Sequence, residues 1–522
     1  MNTNDLENET KTVSQRQLTI IAVLGAVAFY NTVGNHVVPV AGWLMPIAFV
    51  YFIRHTRLRW GIPVVWAIMA SMWLLAFRGF GSVIPLALYF TIGPLFVVAL
   101  LIPFLIDRYC HRRIDGFAAT LVLPAAAAAV DFLWSIAIPY GTWSSTAYSQ
   151  YGNLAIVQLV AWTGLSGIVF LLYWTGSVFI WALEQDFEWS RIRRGSLAYA
   201  TIMMTVIVAG SLRTVVAAPS GDTFRVASIS VPKDELLKAS QDARESGDGS
   251  NAYPDAVRKA AEHIQDEYLA RTAREAEAGA AFIVWPEAGC LMRKEDEAAY
   301  VERARALADQ QDIYLFMGLG VSLKSDWPKL ENKIVTIGPE GEILNEYHKT
   351  FVVPGDPHGP GEGILPLIDT PYGRVSIAIC YDMDFPGLIR QAGKGDADII
   401  IAPSNDWRGI DPIHTLMATF RAVENGAVVI RQTNSGLSIA VDHQGRVLAS
   451  ADYFQTDDHV MVASIPKESP GSLYAKIGDV FAWAMVLITI TFIGVAALKT
   501  STMANPLSIR NTDSPEPSRS TG

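Results

Sequence analysis

Cysteine is scarce in this chain: Cys110, Cys290 and Cys380 are its only three, and no two of them stand at C-x-x-C spacing. That excludes a disulfide framework and offers no structural zinc site, which leaves a solitary cysteine free for chemistry. Charge is scarce as well. Asp, Glu, Lys and Arg make up 18% of the residues against 51% hydrophobic ones, a balance too apolar for an ordinary soluble protein. The net charge of -10, with no basic stripe, excludes a nucleic-acid partner, because a phosphate backbone is bound by clustered Lys and Arg. His348, His358 and His414 show no metal-ligand spacing, so no metal is expected.

What is abundant is the long apolar run. Such runs follow one another from Leu18 to Val216, each near the roughly 17 to 25 residues that a bilayer core requires. They predict seven membrane spans, at about 17 to 34, 37 to 53, 60 to 77, 83 to 106, 116 to 136, 155 to 182 and 197 to 216, and an eighth at about 478 to 498. Asn31, Asn35 and His36 interrupt the first two, which a re-entrant hairpin would also accommodate. Basic residues fall in alternate connections, at Arg54, Arg57 and Arg59, at Arg108, Arg112 and Arg113, and at Arg191, Arg193 and Arg194. Those connections are expected in the cytoplasm, with Lys11, Arg16 and Lys499 in agreement. The expected division is a membrane domain over 1–217, an extracytoplasmic domain over 218–472, a last span over 473–499 and a disordered cytoplasmic tail over 500–522. The apolar segments are too many to be one cleaved signal, so the N-terminus is expected to be retained.

Between 218 and 472 the texture changes to short β-branched runs such as FRVASISV, AFIVWPE, RVSIAIC, ADIIIAPSND and AVVIRQTNSG, separated by polar helical stretches. This is the pattern of an α/β domain, with helices expected at 254 to 278, 293 to 310 and 411 to 425 and a hairpin turn in PEGE at 339 to 342. Three strand ends carry a group that can react: Glu287, Lys349 and Cys380. A thiol is mostly protonated at neutral pH and needs activation. A carboxylate can take its proton, and an ammonium can stabilise the thiolate and a developing oxyanion. Each residue alone also has a plainer reading, as a buried filler, a turn or a solvated lysine.

The flanking residues decide between these readings. WPEAG, EYHKTFVVPG and ICYDMDFPGLIR resemble the nitrilase, or carbon-nitrogen hydrolase, superfamily, as do APSNDW at 402–407, HTLMATFRAVENG at 414–426 and RQTNSGLSIAVDHQGRV at 431–447. The resemblance covers roughly 225 to 465 and implies an αββα sandwich. It implies Glu287 as general base, Cys380 as nucleophile, and Lys349 with the Tyr381 backbone N–H as the oxyanion site. The superfamily's second glutamate after the lysine is replaced here by a choice of Asp356 or Glu362. Asn332, Asp382, Asn405, Asp406, Trp407 and Asn434 lie in the matching segments and are candidates to shape the substrate pocket or to hold turns. Trp327, Phe351, Phe385 and Trp407 are candidates for an apolar lid, or for core, and Cys290 for a buried filler.

An α/β domain inserted before the last of about eight spans is similar to the apolipoprotein N-acyltransferase family, as is PYGTWSSTAYSQYGNLAIVQLVAWTGLSGIVFLL at 139–172. That resemblance implies a bacterial inner-membrane enzyme with a phospholipid acyl donor, a lipoprotein acceptor, a thioester on Cys380 and no cofactor. The chain departs from the family in reading CYD where CYE is usual, in the Ala288, Gly289, Cys290 that follow WPE, and in a long polar stretch at 231 to 256. The alternative is a membrane-anchored carbon-nitrogen hydrolase acting on a small amide or nitrile; a noncatalytic lipid-binding relative would be expected to have lost one of the three reactive residues.

Overall fold

The computed structural model describes residues 13–82, 84–216, 221–245, 255–325 and 327–504. Among these, six helices are long and apolar enough to cross a bilayer: Leu58–Ala76, Leu86–His111, Phe117–Ala137, Leu165–Glu184, Trp189–Val216 and Val480–Lys499. Two shorter ones, Gln15–Tyr30 and Pro39–His55, come first and pack closely, since a Cβ on Gly25 would lie 2.8 Å from the Phe49 ring. The span expected at 155 to 182 is divided. Leu154–Val157 and Val160–Thr163 are single turns, and the chain reverses at Gly164 (φ +62°) before Leu165–Glu184 begins. The reason is Gln158, a buried polar side chain whose Nε2 donates to Gln444 O of the α/β domain at 2.9 Å, a partner that a lipid-embedded turn would lack. The last helix runs on to Ala504, and the rest of the expected tail lies outside the described residues.

Arg54 fixes one end of the bundle by bonding Asp107 at 2.8 Å and Glu184 at 3.0 Å, which brings the ends of three helices to one level. The opposite ends meet the α/β domain, where Tyr381 OH donates to Pro139 O at 2.6 Å and Thr142 N–H to Asp384 O at 2.9 Å.

That domain consists of two sheets face to face with helices outside them. One sheet runs Val460–Pro466, Thr223–Ile229, Phe282–Val284, Tyr314–Ser322, Leu330–Ile337, Ile343–His348, with Cys290–Arg293 added beside Tyr314–Ser322. The other runs Val447–Asp452, Leu437–Val441, Val428–Arg431, Ile399–Ile401, Gly373–Ile377, Leu367–Thr370. The period of two along a strand sorts the core: Phe282 and Val284 point between the sheets, while Ile283 and Trp285 point to the outer helices Asp255–Glu277 and Lys294–Gln311. Helices Pro386–Lys394 and Ile413–Asn425 cover the second sheet, completing the αββα order.

Candidate active site

Glu287, Lys349 and Cys380 follow the ends of strands Phe282–Val284, Ile343–His348 and Gly373–Ile377 and meet at one end of the sandwich. Lys349 Nζ donates to Glu287 Oε1 at 2.7 Å, and Asn332 Nδ2 donates to the same oxygen at 2.6 Å. The Asn405 backbone N–H holds Oε2 at 3.0 Å, and the Cys380 thiol points to Asn405 O at 4.0 Å. All three side chains are buried.

Cys380 has φ +49°, a left-handed conformation that costs a residue with a Cβ about 1–2 kcal/mol. The turn is held by Asp382, whose carboxylate accepts from Ile379 N–H at 3.0 Å, Phe351 N–H at 2.8 Å and Tyr347 OH at 2.8 Å. One carboxylate thus ties the Cys380 turn to the lysine loop. Tyr381 stands in the first turn of the 3-10 helix Cys380–Asp384, where a backbone N–H has no helical acceptor and is available to an oxyanion.

Burial pushes the Glu287 carboxyl up, but the Lys349 charge and the hydrogen bonds from Lys349 and Asn332 more than offset it and leave it below its ordinary value. Burial and the Glu287 charge push the Cys380 thiol well up, against the pull of Lys349. Burial lowers Lys349, yet the charges of Glu287 and Cys380 raise it further than burial lowers it, and Asp356 adds to them. These shifts favour a carboxylate, an ammonium and a thiol side by side in the resting state.

A cavity of about 380 Å³ opens on these residues. Its polar end is made by Glu287, Lys349, Asp356, Cys380, Tyr381 and Asn405, and its apolar end by membrane-domain residues that include Trp73, Phe80, Leu88, Ile92 and Phe96. Leu88, Ile92 and Phe96 recur every fourth residue on one face of Leu86–His111. These residues belong to a helix long and apolar enough to cross a bilayer, and Leu88 is exposed.

Of the residues singled out in the sequence, Asp356 lines the cavity, whereas Glu362 is exposed and off it. Asp382 does not line it and serves the turn; Asn434 is buried behind it, paired strand to strand with Asn405. Of the four aromatic residues considered for a lid, Trp407 lines the cavity. Phe351 and Phe385 stack on each other at 3.5 Å and face a neighbouring cavity, and Trp327 is exposed. Cys290 is buried against Tyr300 OH at 3.3 Å.

The membrane wall and the role of His414 were not anticipated; the four-residue repeat of Leu88, Ile92 and Phe96 was the available signal for the wall. His414 lies between Asp406 Oδ1 at 2.8 Å and Asp384 Oδ2 at 3.3 Å and lines the cavity. Cys380, Asp406 and His414 bring one donor atom each within 4.8 Å of one another. Arg431 occupies both Asp406 oxygens, at 2.8 and 3.0 Å, so a metal cation would have to displace a guanidinium, and the group is better described as a buried ion network.

The carbon-nitrogen hydrolase family model matches residues 254–473. An apolipoprotein N-acyltransferase of Geobacter metallireducens is 25% identical over 372 residues, covering 66% of this chain and 68% of that protein. Those of Agrobacterium fabrum and Haemophilus influenzae are 31% and 36% identical over 201 and 155 residues, covering 33% and 29% of this chain. These two matches span 37% and 29% of the relatives' own lengths, well under half. Among solved structures, an amidase from Nesterenkonia sp. superposes with a TM-score of 0.37 at 19% identity, over 50% of this chain and 95% of that one. This multi-pass membrane protein thus sets among its membrane helices an αββα domain that matches the carbon-nitrogen hydrolase family model, and over 66% of its length it is similar to an apolipoprotein N-acyltransferase.

Proposed function

We propose that the chain transfers an acyl chain from a phospholipid to the N-terminal amine of a lipoprotein, through a thioester on Cys380. The observation that carries this reading is the single cavity with Cys380 at one end and the side chains of membrane helices at the other. An acyl chain can lie in the apolar part while its ester meets the sulfur. In the first step Glu287 takes the thiol proton, Cys380 Sγ bonds to the ester carbonyl carbon, and the oxyanion is held by Lys349 and the Tyr381 N–H. The carbon–oxygen bond then breaks, and Glu287 returns the proton to the leaving alkoxide as a lysophospholipid departs. In the second step a neutral amine attacks the thioester, Glu287 takes its proton, the carbon–sulfur bond breaks and the thiol is restored as the amide leaves. Asp356 supports Lys349 by its charge, in place of the glutamate usual in the superfamily. No cofactor enters these steps.

The catalytic domain is assigned to the extracytoplasmic face because it sits at the end of the bundle opposite the Arg54 cluster and the basic connections. Intact-protein mass spectrometry after incubation with phospholipid vesicles tests the reading. A hydroxylamine-sensitive acyl adduct is expected on the wild type and not on Cys380→Ala. No adduct on a wild-type Cys380 that still reacts with thiol probes would overturn it in favour of a small-amide hydrolase.

A further inference from the structure

Phe80 and Trp407 meet across the junction of the membrane helices and the α/β domain, ring centroids 6.0 Å apart, and both line the catalytic cavity. Beside them the two backbones touch. A Cβ on Gly79 would lie 2.3 Å from Gly409 Cα, and Asn35 Nδ2 donates to Gly409 O at 3.0 Å. Each of these glycines is preceded by an arginine, Arg78 in one domain and Arg408 in the other, and both arginines are exposed. Successive Cα atoms are about 3.8 Å apart, so both arginines spring from within one residue of the contact. The aromatic pair lines the cavity, and the exposed basic pair springs from chain positions within two residues of it.

Neither arginine has an ion-pair partner among the described residues. Arg408 lies over the Phe454 ring at 4.3 Å, and a stacked guanidinium keeps its in-plane N–H fork for another acceptor. Arg78 also runs against the charge bias of the bundle, since it stands at the end where the connection from Pro139 to Asn153 has no Lys or Arg. A guanidinium fork fits two oxygens of a phosphate. In a glycerophospholipid the phosphodiester and the acyl ester are joined through one glycerol unit, so an ester at Cys380 leaves its phosphate near the cavity mouth.

We propose that Arg78 and Arg408 form a clamp for the phosphodiester of the donor phospholipid, one arm from each domain; this rests on the acyl-transfer reading above. The clamp binds the head of the donor while the acyl chain fills the cavity, and it distinguishes a phospholipid from a phosphate-free ester. The test compares Arg78→Gln/Arg408→Gln with the wild type in the rate of Cys380 acylation, read by intact-protein mass spectrometry, from phospholipid vesicles and from a 4-nitrophenyl acyl ester.

With phospholipid the rate is expected to fall about tenfold, with a smaller deficit at high salt where exposed charges are screened. With the nitrophenyl ester it is expected to be unchanged, which shows that the fold and the nucleophile are intact. The Arg78→Lys/Arg408→Lys protein is expected to fall between the two. An unchanged rate with phospholipid, or an equal loss with both donors, would overturn the clamp. A wild type acylated by the nitrophenyl ester but never by phospholipid would overturn acyl transfer itself, and the clamp with it.

Discussion

Lys349→Met removes the only cation among the described residues that touches Glu287, 2.7 Å from its Oε1, where the two side chains are 2% and 6% exposed. Taking one partner from a buried ion pair costs about 3–5 kcal/mol, because the remaining charge is left uncompensated. Glu287 keeps the donors of Asn332 and the Asn405 N–H, which places the loss toward the lower bound, about 3 kcal/mol. The variant also reverses a pH dependence. In the wild type the folded-state value of Glu287 lies below its unfolded value, so its contribution is present above the unfolded value, about 4.3, and is lost as pH falls through the folded one. Without Lys349 the push of burial prevails and the carboxyl rises; stability is then lost as pH rises through the new folded value. Thermal unfolding in detergent between about pH 4 and 8 reads this as a slope of opposite sign. Glu287→Gln/Lys349→Met leaves neither charge and is expected to melt above both single variants. A Lys349→Met protein with wild-type stability and slope, or a double variant whose loss equals the sum of the singles, would refute the reasoning.

Burial lowers His414, but the charges of Asp384 and Asp406 outweigh it together with Arg431 and hold the imidazole at about 9. Its stabilising contribution is present below its unfolded value, about 6.5, and is lost as pH rises toward the folded one, so His414→Gln should flatten the decline of Tm across that window. Cys380→Gly and Cys380→Ala should both be inactive, with the glycine variant about 1 kcal/mol more stable in denaturant or thermal melts because it meets φ +49° without a Cβ. Ile92→Trp or Leu88→Trp fills the apolar end of the cavity and should shift preference toward shorter acyl chains, measured as relative acylation rates across a chain-length series.

That Glu287, Lys349 and Cys380 would meet was legible because each stands at the end of a strand in a distinctive local context, WPE, EYHK and CYD. The helices of the α/β domain were legible from their polar periodicity, as in Lys294–Gln311. Three features were not. The choice of Asp356 over Glu362 depends on how the loop after Lys349 folds back, which spacing does not specify. The division of the span near Gly164 depends on a single buried Gln158 finding Gln444, 286 residues later in the chain. The stacking of Phe351 on Phe385, which withdraws both from the cavity, follows from the Asp382 bond to Phe351 N–H, a contact between loops that no local pattern announces.

Leu88 lines the cavity from a helix long and apolar enough to cross a bilayer, so on the acyl-transfer reading donor and lysophospholipid exchange sideways, within one leaflet. Supply is then a surface density. Diluting vesicles of fixed composition in buffer leaves turnover per enzyme unchanged, whereas diluting the donor with an inert lipid lowers it in proportion to mole fraction. For such a site the bilayer is the solvent, and its composition takes the place that substrate concentration has for an enzyme in water.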